Sequence, residues 1–136
     1  MPDNRPMTLF SMTQNAMSAQ LVRMNAATSN LANAGSVSTT EDGAYRPLRT
    51  VFVSELDRAS GLSAVRADGL TRETAAPTKR YDPGHPLADP EGFVFESPVD
   101  EAAEMVEIME SARQYQNLVQ ALTTAKQLML ETLRSK

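Results

Sequence analysis

The chain has 136 residues and a net charge of −4, with 13 Lys and Arg against 17 Asp and Glu. This length suits one ordinary domain, and basic residues that form no patch argue against nucleic-acid binding through phosphates. The chain has no Cys, which excludes a disulfide framework and thiolate chemistry. No apolar run approaches the ~18 residues of a membrane span, and the features of a cleaved signal peptide are not evident.

A first helix is predicted from Met7 to Ala34, after a loose start over residues 1–6. Its large apolar residues recur on one face and are Phe10, Met17, Leu21, Met24 and Leu31. Arg23 is the only charged residue between Met7 and Glu41. A helix with a solvent face normally carries Lys and Glu there, so this helix is expected to pack against several neighbours.

The middle of the chain predicts a small β-rich module. A polar loop covers residues 35–44, a short strand Leu48 to Val53, and a hairpin Leu62 to Thr74 around Asp68-Gly69. Residues 75–89 are predicted to be Pro-rich and irregular, and residues 92–96 to form a strand that ends before Pro98. Such a module has little core of its own and is expected to lean on the helices or on other molecules.

A second helix is predicted over the last third of the chain, with Asp100 as its N-cap. No Gly or Pro interrupts this stretch, and at ~1.5 Å per residue the helix would be ~50 Å long. Apolar residues spaced alternately three and four apart, with Lys126 as the one break, predict a coiled-coil seam of Met105, Ile108, Ala112, Tyr115, Val119, Leu122, Met129 and Leu133. A second apolar set, which includes Met109, Leu128 and Leu130, lies off this seam, so one partner helix cannot cover both.

These elements predict a mainly α fold in three parts. Residues 1–34 and 99–136 supply the two helices of a coiled-coil core, and residues 35–98 form the β-rich module between them. The Ala19 and Ala26 side chains project opposite the seam of the first helix. They are therefore expected to press against neighbouring molecules if the chain polymerises.

Two groups of residues could bind a metal, but neither pattern is persuasive. Asp82, His85 and Asp89 are close in sequence, yet prolines stiffen the segment and Asp-Pro-Gly is typical of turns. The carboxylates of Glu101, Glu104, Glu107 and Glu110 lack the paired histidines of a bridged metal site, which favours a solvated acidic helix start. With no phosphate loop and no support for a Ser-His-Asp arrangement, no enzyme, cofactor or small-molecule substrate is predicted.

Three separated segments resemble the bacterial flagellar basal-body rod and hook family. The helix end with Ser29, Asn30, Leu31, Ala32 and Asn33 resembles the family's N-terminal signature. The loop Tyr81, Asp82, Pro83, Gly84, His85 and Pro86 is similar to a stretch typical of its proximal rod subunits. Segments 104–106, 112–116 and 124–127 resemble its C-terminal signature.

The resemblance implies a structural subunit of the hollow shaft that crosses the periplasm, transmits torque and conducts exported flagellar proteins for motility. It implies terminal helices paired antiparallel around a channel. It also implies export by the flagellar type III apparatus without a cleaved signal peptide. The implied partners are copies of this chain, other rod subunits in a helical assembly, and the membrane-embedded ring and export apparatus at the rod base.

The alternative is a soluble helical adaptor or a secretion-associated coiled-coil binding protein. An adaptor that stays monomeric or dimeric should carry charged outer faces on its helices. Both helices lack them, since Arg113 is the only charged residue between Glu110 and Lys126. The sequence therefore favours the polymer.

Overall fold

The protein is described by a computed structural model over residues 7–135. The predicted loose start at residues 1–6, like Lys136, lies outside this range. Helices α1 (Leu9–Ala32) and α2 (Glu101–Arg134) flank strands β1 (Val37–Ser38), β2 (Leu48–Asp57), β3 (Leu62–Arg72), β4 (Thr78–Tyr81) and β5 (Phe93–Glu96). Terminal helices around a small antiparallel β module were predicted and are confirmed. The mainly α class is not confirmed, because 24% of the described residues are in strands against 45% in helices.

Local hydrogen bonds set the ends of α1. Thr8 is the N-cap and exchanges bonds with Ser11 in a capping box, while Asn33 is the C-cap. The buried residues of the helix are small, namely Thr13, Ala19, Ala26, Ala27 and Asn30. Small side chains allow α2 on one side and the strands β2 and β3 on the other to approach the helix closely.

The Ala19 and Ala26 side chains are 1% and 5% exposed within the single chain. The prediction that they meet neighbouring molecules is therefore wrong. The helix α1 lies between two neighbours of its own chain, so the side opposite the predicted seam is already covered.

Helix α2 begins as predicted, with the Asp100 carboxylate accepting hydrogen bonds from Ala102 N at 3.0 Å and Ala103 N at 3.2 Å. Its less exposed side is only partly the predicted seam. The positions with the four-three spacing on that side are Glu104, Ile108, Ser111, Tyr115, Leu118, Leu122 and Ala125. At the start of the helix the buried position is Glu104 and not the predicted Met105, which is exposed. The Glu104 carboxylate can be buried because it contacts the Asn30 amide and the Arg49 guanidinium.

The helices run antiparallel, since Arg23 bonds Glu107 while Asn30, further along α1, bonds the earlier residue Glu104. Because Arg23 lies beside Glu107, the first residue of α1, Leu9, is expected at the level of Ala121 in α2. Every described residue from Lys126 onward is exposed. We call residues 126–134 the overhang, because this part of α2 extends beyond the start of α1.

Strands β2 and β3 form an antiparallel hairpin that packs against α1. Its turn covers residues 58–61, where the Asp57 carboxylate accepts from Ala59 N and Ser60 Oγ. The predicted turn at Asp68-Gly69 is wrong. These two residues lie within β3 as a bulge opposite Val51, since Thr50 pairs with Leu70 and Phe52 with Ala67.

The second sheet has the order β1-β5-β4, with all pairs antiparallel. Its central strand β5 matches the strand predicted over residues 92–96, and Val94 in it is fully buried. Strand β4 corrects the prediction of an irregular segment over residues 75–89. Residues Thr78–Tyr81 form a strand because they pair with β5. Nothing in their local sequence predicts this pairing.

Candidate functional site

A polar cluster with a buried centre lies where α1, α2 and β2 meet, and we call it the joint. Its members are Asn30, Tyr45, Leu48, Arg49 and Glu104. Asn30 is fully buried, and its Oδ1 accepts from Leu48 N at 2.7 Å and from Tyr45 Oη at 2.8 Å. Its Nδ2 donates to Leu48 O at 2.9 Å and to Glu104 Oε2 at 3.2 Å. The amide thus uses its full hydrogen-bonding capacity.

Glu104 brings a carboxylate into the joint with no exposure to solvent. Arg49 Nη2 lies 2.7 Å from Glu104 Oε1, and Arg49 Nε bonds Glu73 just after β3. The close ion pair with Glu104, and then the hydrogen bond with Glu73, raise the pKa of Arg49 above its ordinary value. A buried carboxylate without a cation is strongly destabilising. The positive charge of Arg49 therefore makes burial of the Glu104 carboxylate possible. The predicted solvated acidic helix start is therefore wrong for Glu104.

A second ion pair joins the helices directly. Arg23 Nε and Nη2 donate to the two carboxylate oxygens of Glu107 at 2.8 and 2.9 Å. This hydrogen bonding lowers the pKa of Glu107 and raises that of Arg23. The one charged side chain of α1 is thus used inside the chain, which leaves the rest of α1 neutral.

Helix α2 carries two exposed apolar patches that α1 does not cover, one near each of its ends. Near the start of the helix Met105, Val106 and Met109 are 54%, 64% and 69% exposed. At its end Leu128, Met129, Leu130 and Leu133 are 47% to 65% exposed. We call these seven residues the outer face. Extended apolar surfaces of this kind mark sites of contact with other molecules.

The residues predicted to pack in the assembly fall into two groups. Half-buried within the chain are Phe10, Met17, Met24, Leu31, Ile108, Ala112, Tyr115 and Leu122. Exposed are Leu21, Met105, Val119 and Met129. Their role in assembly stays a prediction, because a single chain contains no contact between copies.

The motif at the end of α1 has a structural role in this chain. Ser29 Oγ lies 3.0 Å from Tyr45 Oη, and Asn33 Nδ2 donates to Ser29 O at 2.8 Å. Between them Asn30 belongs to the joint, while Leu31 is half-buried and Ala32 exposed. The motif therefore ends the helix and attaches the following chain to it.

The loop after β4 uses its polar side chains to make turns. His85 Nδ1 accepts from Leu87 N at 3.0 Å, and Asp89 Oδ1 accepts from Glu91 N at 3.0 Å and Phe93 N at 2.8 Å. Gly92 has a φ of +90°, and a Cβ there would lie 2.9 Å from the Tyr81 ring. Among residues 7–135, no three His, Cys, Asp or Glu side chains come together as a metal-ligand set.

Sequence reasoning missed the joint. Glu104 could have been found, since it fits the four-three spacing of Ile108, Ser111 and Tyr115, but a charged residue in a seam argues against burial. Arg49 gives no such signal, because its partners are distant in sequence.

Neither helix within residues 7–135 is long and apolar enough to cross a membrane.

Known proteins match most of this chain. Residues 91–135 match the family described as flagellar basal body rod FlgEFG protein C-terminal. The flagellar basal-body rod protein FlgC of Salmonella typhimurium is 36% identical over 127 residues, which are 93% of this chain and 95% of that protein. FlgC of Escherichia coli O157:H7 is 37% identical over 127 residues with the same coverage. FlgC of Agrobacterium fabrum is 31% identical over 118 residues, or 86% of this chain and 85% of that protein.

Proposed function

This chain belongs to the family of the flagellar basal-body rod protein FlgC, and from that premise we propose how it works in the rod. The family makes it a structural subunit of the rod, as the sequence resemblance implied, and not an enzyme, as the motif analysis predicted. In our proposal it polymerises with copies of itself and other rod subunits into a hollow shaft. The shaft transmits torque and conducts exported flagellar proteins.

The outer face of α2 carries this proposal. An open polymer needs one surface of a subunit to meet a different surface of the next. The apolar side chains at the two ends of α2 lie far apart on one long helix, and both groups are exposed in the single chain. If each of the two apolar groups is buried against a different neighbouring subunit, this apolar surface is removed from water. Each subunit then connects two others, and the polymer grows.

The pairing of α1 with α2 is, in this proposal, an antiparallel coiled coil. Residues 1–34 and 99–136 form its core, and residues 35–98 are a module attached to its side. The Arg23–Glu107 pair and the spacing of the half-buried positions of α2 support this pairing. Gln, Asn, Ser and Thr on the remaining faces would line a channel without retaining a charged chain that passes.

The proposed location is the periplasmic part of the basal body. The subunit reaches it through the flagellar type III exporter. At the base of the rod it contacts the membrane-embedded ring and the export apparatus. Membership of the rod family supports this placement.

A pair of charged substitutions on the outer face tests the assembly role. In Met109→Glu with Leu130→Glu, both altered side chains lie in water in the single chain, so folding and export should be normal. In the rod the same charges would be buried without partners, which should exclude the variant from purified basal bodies and abolish swimming.

Gln116→Glu is the matched control, because Gln116 is an exposed polar residue of the same helix. It should be incorporated and support swimming. The assembly role of the outer face would be refuted by parental swimming and normal incorporation of the double variant in a strain that lacks the parental chain.

A further inference from the structure

A small cavity lies beside the joint, and α1, α2 and β2 all supply parts of its wall. Its volume is about 20 Å³. Two alanines and Leu48 line it together with four polar or charged residues, which are Arg23, Arg49, Thr50 and Glu107. Room for one water molecule begins at about 10–15 Å³, so the cavity suits a single water and nothing larger.

Thr50 gives this cavity a hydroxyl group that the described part of the chain leaves unsatisfied. Its Oγ1 is buried and has no hydrogen-bond partner among residues 7–135. A buried hydroxyl without any partner is destabilising, and buried polar groups that no protein atom satisfies are usually bonded to an ordered water. The group therefore points to a ligand that can form hydrogen bonds.

Two charged neighbours can complete the bonding of a water molecule here. Arg49 contacts two carboxylates through Nε and Nη2, which leaves Nη1 as a further donor. Each carboxylate oxygen of Glu107 accepts one bond from Arg23 and has capacity for another. With the Thr50 hydroxyl these groups make three partners, which is the usual number for a buried water.

The charges around the cavity argue against a small ion. An anion would lie beside the Glu107 carboxylate, and a cation would lie beside the guanidinium groups of Arg23 and Arg49. A water molecule is neutral and avoids both repulsions. It also donates and accepts at the same time, as a lining of guanidinium, hydroxyl and carboxylate groups requires.

We propose that this cavity is the binding site of one structural water, held by Thr50, Arg49 and Glu107. The water connects β2 to the Arg23–Glu107 pair between the helices and so extends the joint into one continuous polar network. The proposal concerns the interior of the chain in its assembled state. Its failure would therefore leave the proposed contacts of the outer face unaffected.

The direct test is a density map of isolated basal bodies, in which the full-length chain is assembled. The map needs a resolution that shows buried waters elsewhere in the rod. A peak should then lie within about 3.2 Å of Thr50 Oγ1, Arg49 Nη1 and a Glu107 carboxylate oxygen. A cavity without such a peak, or one filled by a protein side chain, would overturn the proposal.

Thr50→Val tests the water through the sign of its effect. Valine keeps the shape of threonine but cannot bond a water. If a water is bound, the variant loses a hydrogen bond, and urea should release it from isolated basal bodies about fivefold faster than the parent. If the hydroxyl were merely buried without a partner, valine would relieve that cost. Release at the parental rate or more slowly would therefore overturn the proposal.

Thr71→Val is the matched control, because Thr71 is exposed on β3 of the same hairpin. Its hydroxyl is already in water, so this variant should be released at the parental rate. Acceleration equal to that of Thr50→Val would overturn the specific role of the cavity. If Thr50→Val is not incorporated into basal bodies, the map of the parental chain decides, with the same two outcomes.

Discussion

Asn30 bonds both the N–H and the C=O of Leu48, as a neighbouring strand would, although it belongs to a helix. An amide is the side chain that suits this position, because it offers donors and acceptors together without a charge. The remaining acceptor and donor capacity is used by Tyr45 and Glu104. A shorter or purely accepting side chain would leave buried groups unpaired.

The closest test of this role is Asn30→Asp, which preserves shape. The new carboxylate would lose the two bonds that Nδ2 donates and would lie beside the buried Glu104 carboxylate. We expect the free energy of unfolding at pH 7 to fall by about 3 kcal/mol, measured by urea titration.

Asn15→Asp makes the same chemical change at an exposed position of α1. Its effect should stay within about 0.5 kcal/mol. Equal destabilisation by the two substitutions would contradict the role assigned to Asn30.

Glu107 gives the pairing of the helices a dependence on pH. Arg23 lowers the pKa of Glu107, so the folded state holds a proton on this group less tightly than the unfolded state does. The stabilisation is therefore present above the unfolded pKa of about 4.3 and is lost as pH falls through the lower folded value. Since both side chains are partly exposed, it should amount to less than about 1 kcal/mol.

Urea unfolding of the parent and Glu107→Gln between pH 3 and 7 should show this difference. The parent should be more stable at pH 7, and the two curves should converge below pH ~4. A gap that stays constant over this range would show that the charge of Glu107 is not what stabilises the pair.

At the scale of elements, the small residues of α1 determine how closely its neighbours approach. Ala19→Glu would bring a carboxylate into a position that is 1% exposed between α2 and the hairpin. We expect the free energy of unfolding to fall by more than about 3 kcal/mol, as followed by circular dichroism of the purified chain.

Ala121→Glu is the control, since Ala121 is exposed in α2. It should change the free energy of unfolding by less than about 0.5 kcal/mol. A stable, fully helical Ala19→Glu chain would show that this side of α1 is open after all.

Local signals in the sequence were sufficient for some elements. The N-cap at Asp100 and the strand before Pro98 depend on neighbouring residues, and these predictions are confirmed. The hairpin turn, strand β4 and the buried side of α2 depend on partners elsewhere in the chain. Asp68-Gly69 has turn chemistry, but the turn at 58–61 sets the register and leaves this dipeptide as a bulge.

The same distinction applies to the joint. Burial of Glu104 in α2 requires Arg49 in β2, and no local sequence pattern in either element predicts contact with the other. The sequence did show an apolar set of α2 off the predicted seam, and its members Met109, Leu128 and Leu130 belong to the outer face.

For the molecule as a whole, α2 is longer than the partner available to it. The overhang has no described neighbour in the single chain, whereas residues 101–119 lie along α1. Amide exchange in the purified chain should therefore be slow in α1 and residues 101–119 and fast in residues 126–134. In isolated basal bodies the overhang should be protected as well. Strong protection of the overhang in dilute monomer would show that it needs no neighbour.

The length of the overhang also bears on how growth begins. Helix ends fray in water, so each contact that the overhang makes must first offset the entropy lost on ordering it. A meeting of two free subunits offers few contacts, whereas the end of an existing assembly offers several at once. Free subunits should therefore remain separate in solution, and elongation from a formed end should be faster than spontaneous nucleation.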